Sequence, residues 1–128
     1  MIVVDANVLA YLFLPGAATA AAEALLESDP DWVAPVLWRS EFRNILAGEL
    51  RRGRLTFQQA CRLQSEAEDL MAGAEYDVDS LSVLELIESS KCSAYDCEYA
   101  ALARKLGVQL VTRDEKLLSS FPGIAVSL

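Results

Sequence analysis

The sequence predicts an α/β fold: a mainly parallel central sheet with helices on both faces. Three observations carry that prediction. Short apolar runs such as Ile2–Val4 and Leu110–Val111 alternate with stretches of helical period. Breaks between helices fall at Pro15-Gly16, Gly53 and Gly107. Each pair of successive strands is separated by enough chain to hold a helix, as parallel neighbours require. The 128 residues fit one domain, 1–128.

The opening "MIVVD" predicts a buried strand over 2–5, and "VLAYLFL" a helix over 7–14. Pro15-Gly16 separates that helix from an alanine-rich one over 17–28, alanine being the strongest helix former. A strand at 32–34 leads to a helix over 36–51, in which Leu37, Trp38, Phe42, Ile45 and Leu46 share one half. Gly53 separates it from a helix over 56–71. A strand at 76–78 follows, then a helix over 80–90 capped by Asp79 or Ser80. The helix over 94–106 has Tyr99, Ala100, Leu102, Ala103 and Leu106 on its apolar face, and Gly107 ends it. A strand at 108–112, a short helix at 115–119 and a strand at 124–127 complete the chain. In such sheets, ligands sit beyond the carboxyl ends of the strands.

Composition excludes several classes of function. Histidine is absent, so there is no Ser-His-Asp triad, no Cys-His pair and no HExxH zinc site. A metal here would be held mainly by oxygen, which favours Mg²⁺, Mn²⁺ or Ca²⁺. The net charge of −8 speaks against a broadly basic nucleic-acid surface. It is compatible with a nuclease whose own site is a carboxylate cluster, because metal ions cancel such charge locally. Cys61, Cys92 and Cys97 form no CxxC pair and read as reduced, buried thiols of a cytoplasmic protein. No signal peptide or membrane span is expected. The hydrophobic fraction of 53% lies above the usual range of about 45–50%, which hints at an apolar face covered by a partner.

Four acids stand out by position. Asp5 ends the first strand, between two buried elements, where a carboxylate loses hydration and needs a helix N-terminus, a cation or a metal. Glu41 falls inside the apolar half of its helix, while Arg39 and Arg43 fall outside it. Asp96 falls on the apolar face of the 94–106 helix, and Ser93-x-x-Asp96 also has the form of a capping box. Asp114 follows a strand and precedes the short helix, for which Asp114 or Thr112 is a natural cap. Each acid has a purely structural reading as a cap or buried ion pair. Together, all four come to one edge of a parallel sheet. They would repel one another without cations, and such a cluster suits one or two divalent metals that activate water against a phosphodiester.

In order and spacing, "VVDANVLAYL", "SEFRNIL", "SAYDCEYAALA" and "VTRDEKLL" resemble the motifs of PIN-domain proteins. Within them they are most similar to the VapC toxins of type II toxin–antitoxin modules. The likeness spans nearly the whole chain. It implies a three-layer α/β/α sandwich and an endoribonuclease dependent on Mg²⁺ or Mn²⁺. It also implies a homodimer, with RNA as substrate and a small VapB-like antitoxin as partner. Residue by residue, it carries catalytic and metal-holding roles onto Asp5, Glu41, Asp96 and Asp114, and supporting roles onto Asn7 and Thr112. Glu98 and Glu115 are possible extra acids, but helical phase places Glu98 away from the site.

Arg51, Arg52 and Arg54 concentrate charge at a helix end. They read either as solvated charge favoured by a helix C-terminus or as contacts for RNA phosphate or antitoxin. Arg113, closer to the acids in sequence, is a further candidate contact. Trp32 and Trp38 read as core. Other functions fit less well. A haloacid-dehalogenase-type phosphatase needs a second aspartate two residues after the first, where this chain has Asn7. A receiver domain needs paired acids at the first strand and a lysine on a late one. A PIN nuclease of RNA processing without an antitoxin, or a non-catalytic binding module, remains open.

Overall fold

Val3 and Val4 are fully buried because the strand that carries them, β1 (Ile2–Val4), is the middle strand of the sheet. The computed structural model describes residues 1–128. After β1 come α1 (Ala6–Phe13), α2 (Thr19–Ser28), β2 (Trp32–Pro35), α3 (Trp38–Arg51), α4 (Phe57–Leu70) and β3 (Glu75–Tyr76). Then follow α5 (Ser80–Glu88), α6 (Ala94–Leu106), β4 (Leu110–Thr112), α7 (Glu115–Ser120) and β5 (Ala125–Ser127). Every strand and helix expected from the sequence is present. The sheet has five strands in the order β3-β2-β1-β4-β5 and is parallel throughout, more uniform than the mainly parallel sheet expected.

The strand order creates a crevice. From β1 the chain builds outward through β2 to β3, then returns to the opposite side of β1 to lay down β4 and β5. The crossover direction reverses between β1 and β4, and loops leaving their carboxyl ends diverge there. Val3 and Val4 pair with Leu110 and Val111, so Asp5, just past β1, lies level with Thr112, the last residue of β4. Helices α1 to α4 pack on one another, α5 packs on α6, and α6 lies against β1, β2 and β4.

Differences from the expected boundaries have local causes. Helix α2 starts at Thr19, not 17, because the Thr19 hydroxyl closes the Pro15-Gly16 turn. It donates to the Tyr11 carbonyl at 2.7 Å and accepts from the Gly16 N–H at 3.0 Å. Asp79 caps α5, accepting from Ser82 N–H at 3.0 Å. Gly107 ends α6 at φ +67°, a conformation costly for any residue with a Cβ. Cys92 and Cys97 are buried as expected, but Cys61 is exposed. On α4 only Ala60 and Ala67 are buried, and Cys61 lies about 100° around the helix from Ala60.

Helix α3 is held by an aromatic chain. Trp38 and Phe42 meet edge to face at 5.9 Å, and Phe42 meets Phe13 of α1 at 6.1 Å. Trp38 and Phe42 are fully buried, and Trp32 nearly so, as expected of core. That anchoring fixes the rotation of α3 and hence the direction of the residue next to Phe42, which is Glu41.

Candidate active site

The four acids reach one cleft from the N-terminal ends of four different helices. Asp5 is the N-cap of α1, and its Oδ1 accepts from the Val8 N–H at 3.0 Å. Glu41 stands in the first turn of α3 and Asp96 in the first turn of α6. Asp114 is the N-cap of α7, accepting from the Leu117 N–H at 2.9 Å. All four line a cleft of about 510 Å³, together with Asn7, Ser40, Asn44, Tyr95 and Tyr99. The cap readings of Asp5 and Asp114 therefore hold alongside the site reading. The cap bond of Asp114 uses one carboxylate oxygen and leaves the other for the cleft, whereas the second oxygen of Asp5 is held by Thr112.

For Asp96 the structural reading weakens. Ser93 caps α6 by accepting from the Asp96 N–H at 3.1 Å, but the reciprocal bond from the Ser93 N–H to the Asp96 carboxylate is missing. A complete capping box occurs instead on α4, between Thr56 and Gln59. The Asp96 carboxylate is thus left to the cleft.

No lysine or arginine forms an ion pair with any of the four. Two hydroxyls take that place. Thr112 is fully buried; it donates to Asp5 Oδ2 in a short bond and accepts from the Asp114 N–H at 3.0 Å. Tyr99, 1% exposed, donates to Glu41 Oε1 at 2.6 Å.

The electrostatics follow from burial among like charges. Burial raises the Asp5 carboxyl above the ordinary aspartate value; the bonds from Thr112 and Val8 oppose this, and the Asp114 charge adds to it. Glu41 is raised first by burial and further by the charges of Asp96, Asp5 and Glu98, against the pull of Tyr99. Asp96 is raised by burial and by Asp114, with Ser93 and the charge of Lys116 opposing. Glu98 lies away from the cleft, as its helical phase predicts. Its half-buried charge adds a minor contribution to the raising of Glu41.

Of the supporting residues, Asn7 lines the cleft with its side chain exposed, and Thr112 lies beneath it. Arg51, Arg52 and Arg54 lie elsewhere. Ten residues of α3 separate Arg51 from Glu41, about 15 Å along the helix. Arg52 and Arg54 each approach Glu49 at 3.5 Å. Arg113 sits 5.8 Å above the Tyr11 ring and does not line the cleft. Tyr99 was hidden from sequence reasoning because its ring belongs to the apolar stripe. The available signal was its spacing, three residues after the inward-facing Asp96 on the same helix face.

No three acids converge closely enough to enclose a bare metal ion. The donor set still suits Mg²⁺ or Mn²⁺. Hydrated Mg²⁺ keeps several waters and is held by one or two carboxylates, and the cleft offers oxygen donors with surplus negative charge and room for water.

Known proteins place the chain. The family model described as PIN domain matches residues 2–122. Ribonuclease VapC3 of Pyrobaculum aerophilum is 28% identical over 126 residues, covering 96% of each chain. The crystal structure of PAE2754 from Pyrobaculum aerophilum has a TM-score of 0.77 at 26% identity, covering 98% of this chain and 89% of that one. FitAcB from Neisseria gonorrhoeae also reaches a TM-score of 0.77, at 22% identity, covering 100% of this chain and 97% of the other; that likeness is one of fold. With a family match over nearly its whole length and four acids at the carboxyl edge of a parallel sheet, this chain belongs to the PIN domain family.

Proposed function

We propose that this chain is a metal-dependent endoribonuclease, the toxin of a VapBC-type toxin–antitoxin pair. The observation that carries the reading is a cleft lined by Asp5, Glu41, Asp96 and Asp114 with no basic partner. Ribonuclease VapC3, alike over almost its full length, supports RNA as the substrate. Asp5, Glu41, Asp96 and Asp114 are the residues that would hold Mg²⁺ or Mn²⁺. When bound, such a cation supplies Lewis acidity toward water and toward the phosphodiester oxygens.

The chain's own residues do the rest. Thr112 and the Val8 N–H fix the Asp5 carboxylate at the floor of the cleft. The Asp114 carboxylate is oriented by its cap bond to Leu117. Asn7, exposed on the first turn of α1, presents an amide to a phosphate oxygen or to water. Tyr95, 62% exposed at the rim, offers a ring on which a base can stack. A homodimer and a small VapB-like antitoxin belong to the same reading. Leu81 and Leu84 on α5, and separately Phe57 on α4, are apolar yet exposed and support surfaces that partners cover.

The test is cleavage of RNA by the purified chain with Mg²⁺ or Mn²⁺, with chelator, and with metal restored. Cleavage should vanish in chelator and return with either metal. Cleavage undiminished in chelator, or retained in full by Glu41→Gln, overturns the reading.

A further inference from the structure

We infer that Tyr99 is a positioning residue for Glu41, holding one carboxylate oxygen so that the other faces the cleft for a cation. The inference rests on the nuclease reading above and deepens it.

Tyr99 is among the largest fully buried side chains, and its ring would be replaced in volume by phenylalanine. A buried hydroxyl needs a partner. Here the partner is Glu41 Oε1 at 2.6 Å, on a helix 58 residues away in sequence. The phenol therefore joins two parts of the site: α6, which carries Asp96, and α3, which carries Glu41.

The constraint is one-sided. Packing on every side holds the Tyr99 ring, so its hydroxyl is a fixed point. Glu41 has three rotatable bonds and is half-buried, so without a fixed donor it samples several positions. Glu41 Oε2 has no protein partner and is not among the buried unsatisfied atoms, so it meets solvent in the cleft. One oxygen is tethered and one is open.

Thr112 shows the same device on the other side of the site. It accepts from the backbone beside one acid, Asp114, and donates to the carboxylate of another, Asp5. Neutral hydroxyls orient both acids, buried Asp5 and half-buried Glu41, where a lysine or arginine would compete with a metal for their charge. Residues that orient ligands in this way commonly contribute tenfold or more to metal affinity.

The experiment titrates Mn²⁺ into RNA-free protein and follows free Mn²⁺ by electron paramagnetic resonance. It compares the parent, Tyr99→Phe, Glu41→Gln and the double variant, with thermal unfolding of each. Tyr99→Phe should fold and bind Mn²⁺ about tenfold more weakly than the parent. In the Glu41→Gln background the same change should have no further effect, because its route of action is gone. Parent-like affinity in folded Tyr99→Phe overturns the inference, as does an equal loss in both backgrounds. A Tyr99→Phe chain that fails to fold assigns the hydroxyl to the core and overturns it too. A parent chain that binds no Mn²⁺ fells the nuclease reading along with this one, whereas a binding parent with an unaffected Tyr99→Phe removes this one alone.

Discussion

Helix α3 carries two carboxylate environments, two residues apart, that are built in opposite ways. Around Arg39, Glu75 accepts from the guanidinium at 2.6 and 2.7 Å, and Glu68 accepts at 2.9 Å. Trp38 Nε1 adds a bond to Glu75 at 3.2 Å. This cluster ties α3 and α4 to β3, a two-residue edge strand with little pairing of its own. Around Glu41 there is no cation, only the Tyr99 hydroxyl and three neighbouring acids. Where a carboxylate holds the fold together, a guanidinium neutralises it. Where carboxylates face the cleft, their repulsion stands, and a bound cation is what relieves it.

The largest expected effect breaks the cleft side of this comparison. Asp5→Asn keeps the shape and capping ability of the residue but removes its charge. RNA cleavage should fall by orders of magnitude in a chain that still folds, the loss of the Thr112 bond to the second oxygen costing some stability. An Asp5→Asn protein that cleaves normally would exclude Asp5 from the chemistry and reduce it to a cap.

The Arg39 side should fail in the reverse pattern. Arg39→Met removes the partner of Glu68 and Glu75 and loosens β3, so the unfolding midpoint should drop. Cleavage per folded molecule should stay at the parent value, because Arg39 faces away from the cleft. Lost cleavage with an unchanged midpoint would exchange the roles of the two regions.

Acidity should separate the regions by sign. The Arg39 bond holds Glu75 below its ordinary value of 4.5. Its contribution to stability is present above that value and is lost as pH falls through the lowered folded value. Asp5, Glu41 and Asp96 are raised above 3.8, 4.5 and 3.8, mainly by burial. Their contribution is present below those values and is lost as pH rises through the raised folded values. Metal-free protein should therefore gain stability as pH is lowered through the raised values of the cleft acids, then lose it below about 4.5 as Glu75 protonates. Mn²⁺ should remove the loss on the neutral side. Urea midpoints between pH 7.5 and 4, with chelator and with Mn²⁺, measure both limbs. A neutral limb that ignores Mn²⁺ would break the link between cleft charge and metal.

Much of this was legible in the sequence, for identifiable reasons. Strands and helices follow from apolar period, and the sheet's direction from the length of the crossovers. Asp5 and Asp114 were legible because the end of a strand in a parallel sheet is a defined place. Glu41 and Asp96 were legible as charges on apolar stripes. Tyr99 was not, since a tyrosine on such a stripe satisfies the pattern while hiding what its hydroxyl does. The Arg39 cluster was not, because its partners lie 29 and 36 residues away and only the packing of α4 and β3 brings them in. Helical phase put Glu98 away from the site, but phase describes direction, and charge acts over distance.

The smallest effect concerns the first turn of α6, where one residue belongs to each kind of design. Ser93 is a structural cap: its hydroxyl satisfies the Asp96 N–H. Ser93→Ala should cost about 1 kcal/mol, the usual loss for an N-cap. Asp96 sits in the same turn, where helix N–H groups favour a negative charge. Burial and the Asp114 charge outweigh that preference, since the Asp96 carboxyl is raised rather than lowered. Replacing the anion with a neutral amide therefore removes an unfavourable charge. Without metal, Asp96→Asn should match or slightly exceed the parent in stability while losing cleavage. With Mn²⁺ the order should reverse, because only the parent keeps the full set of anionic donors. Denaturant unfolding of the two variants, with and without Mn²⁺, gives four differences from the parent. If Asp96→Asn costs as much as Ser93→Ala in chelator and still cleaves RNA, Asp96 is a helix residue and the cleft has three working acids.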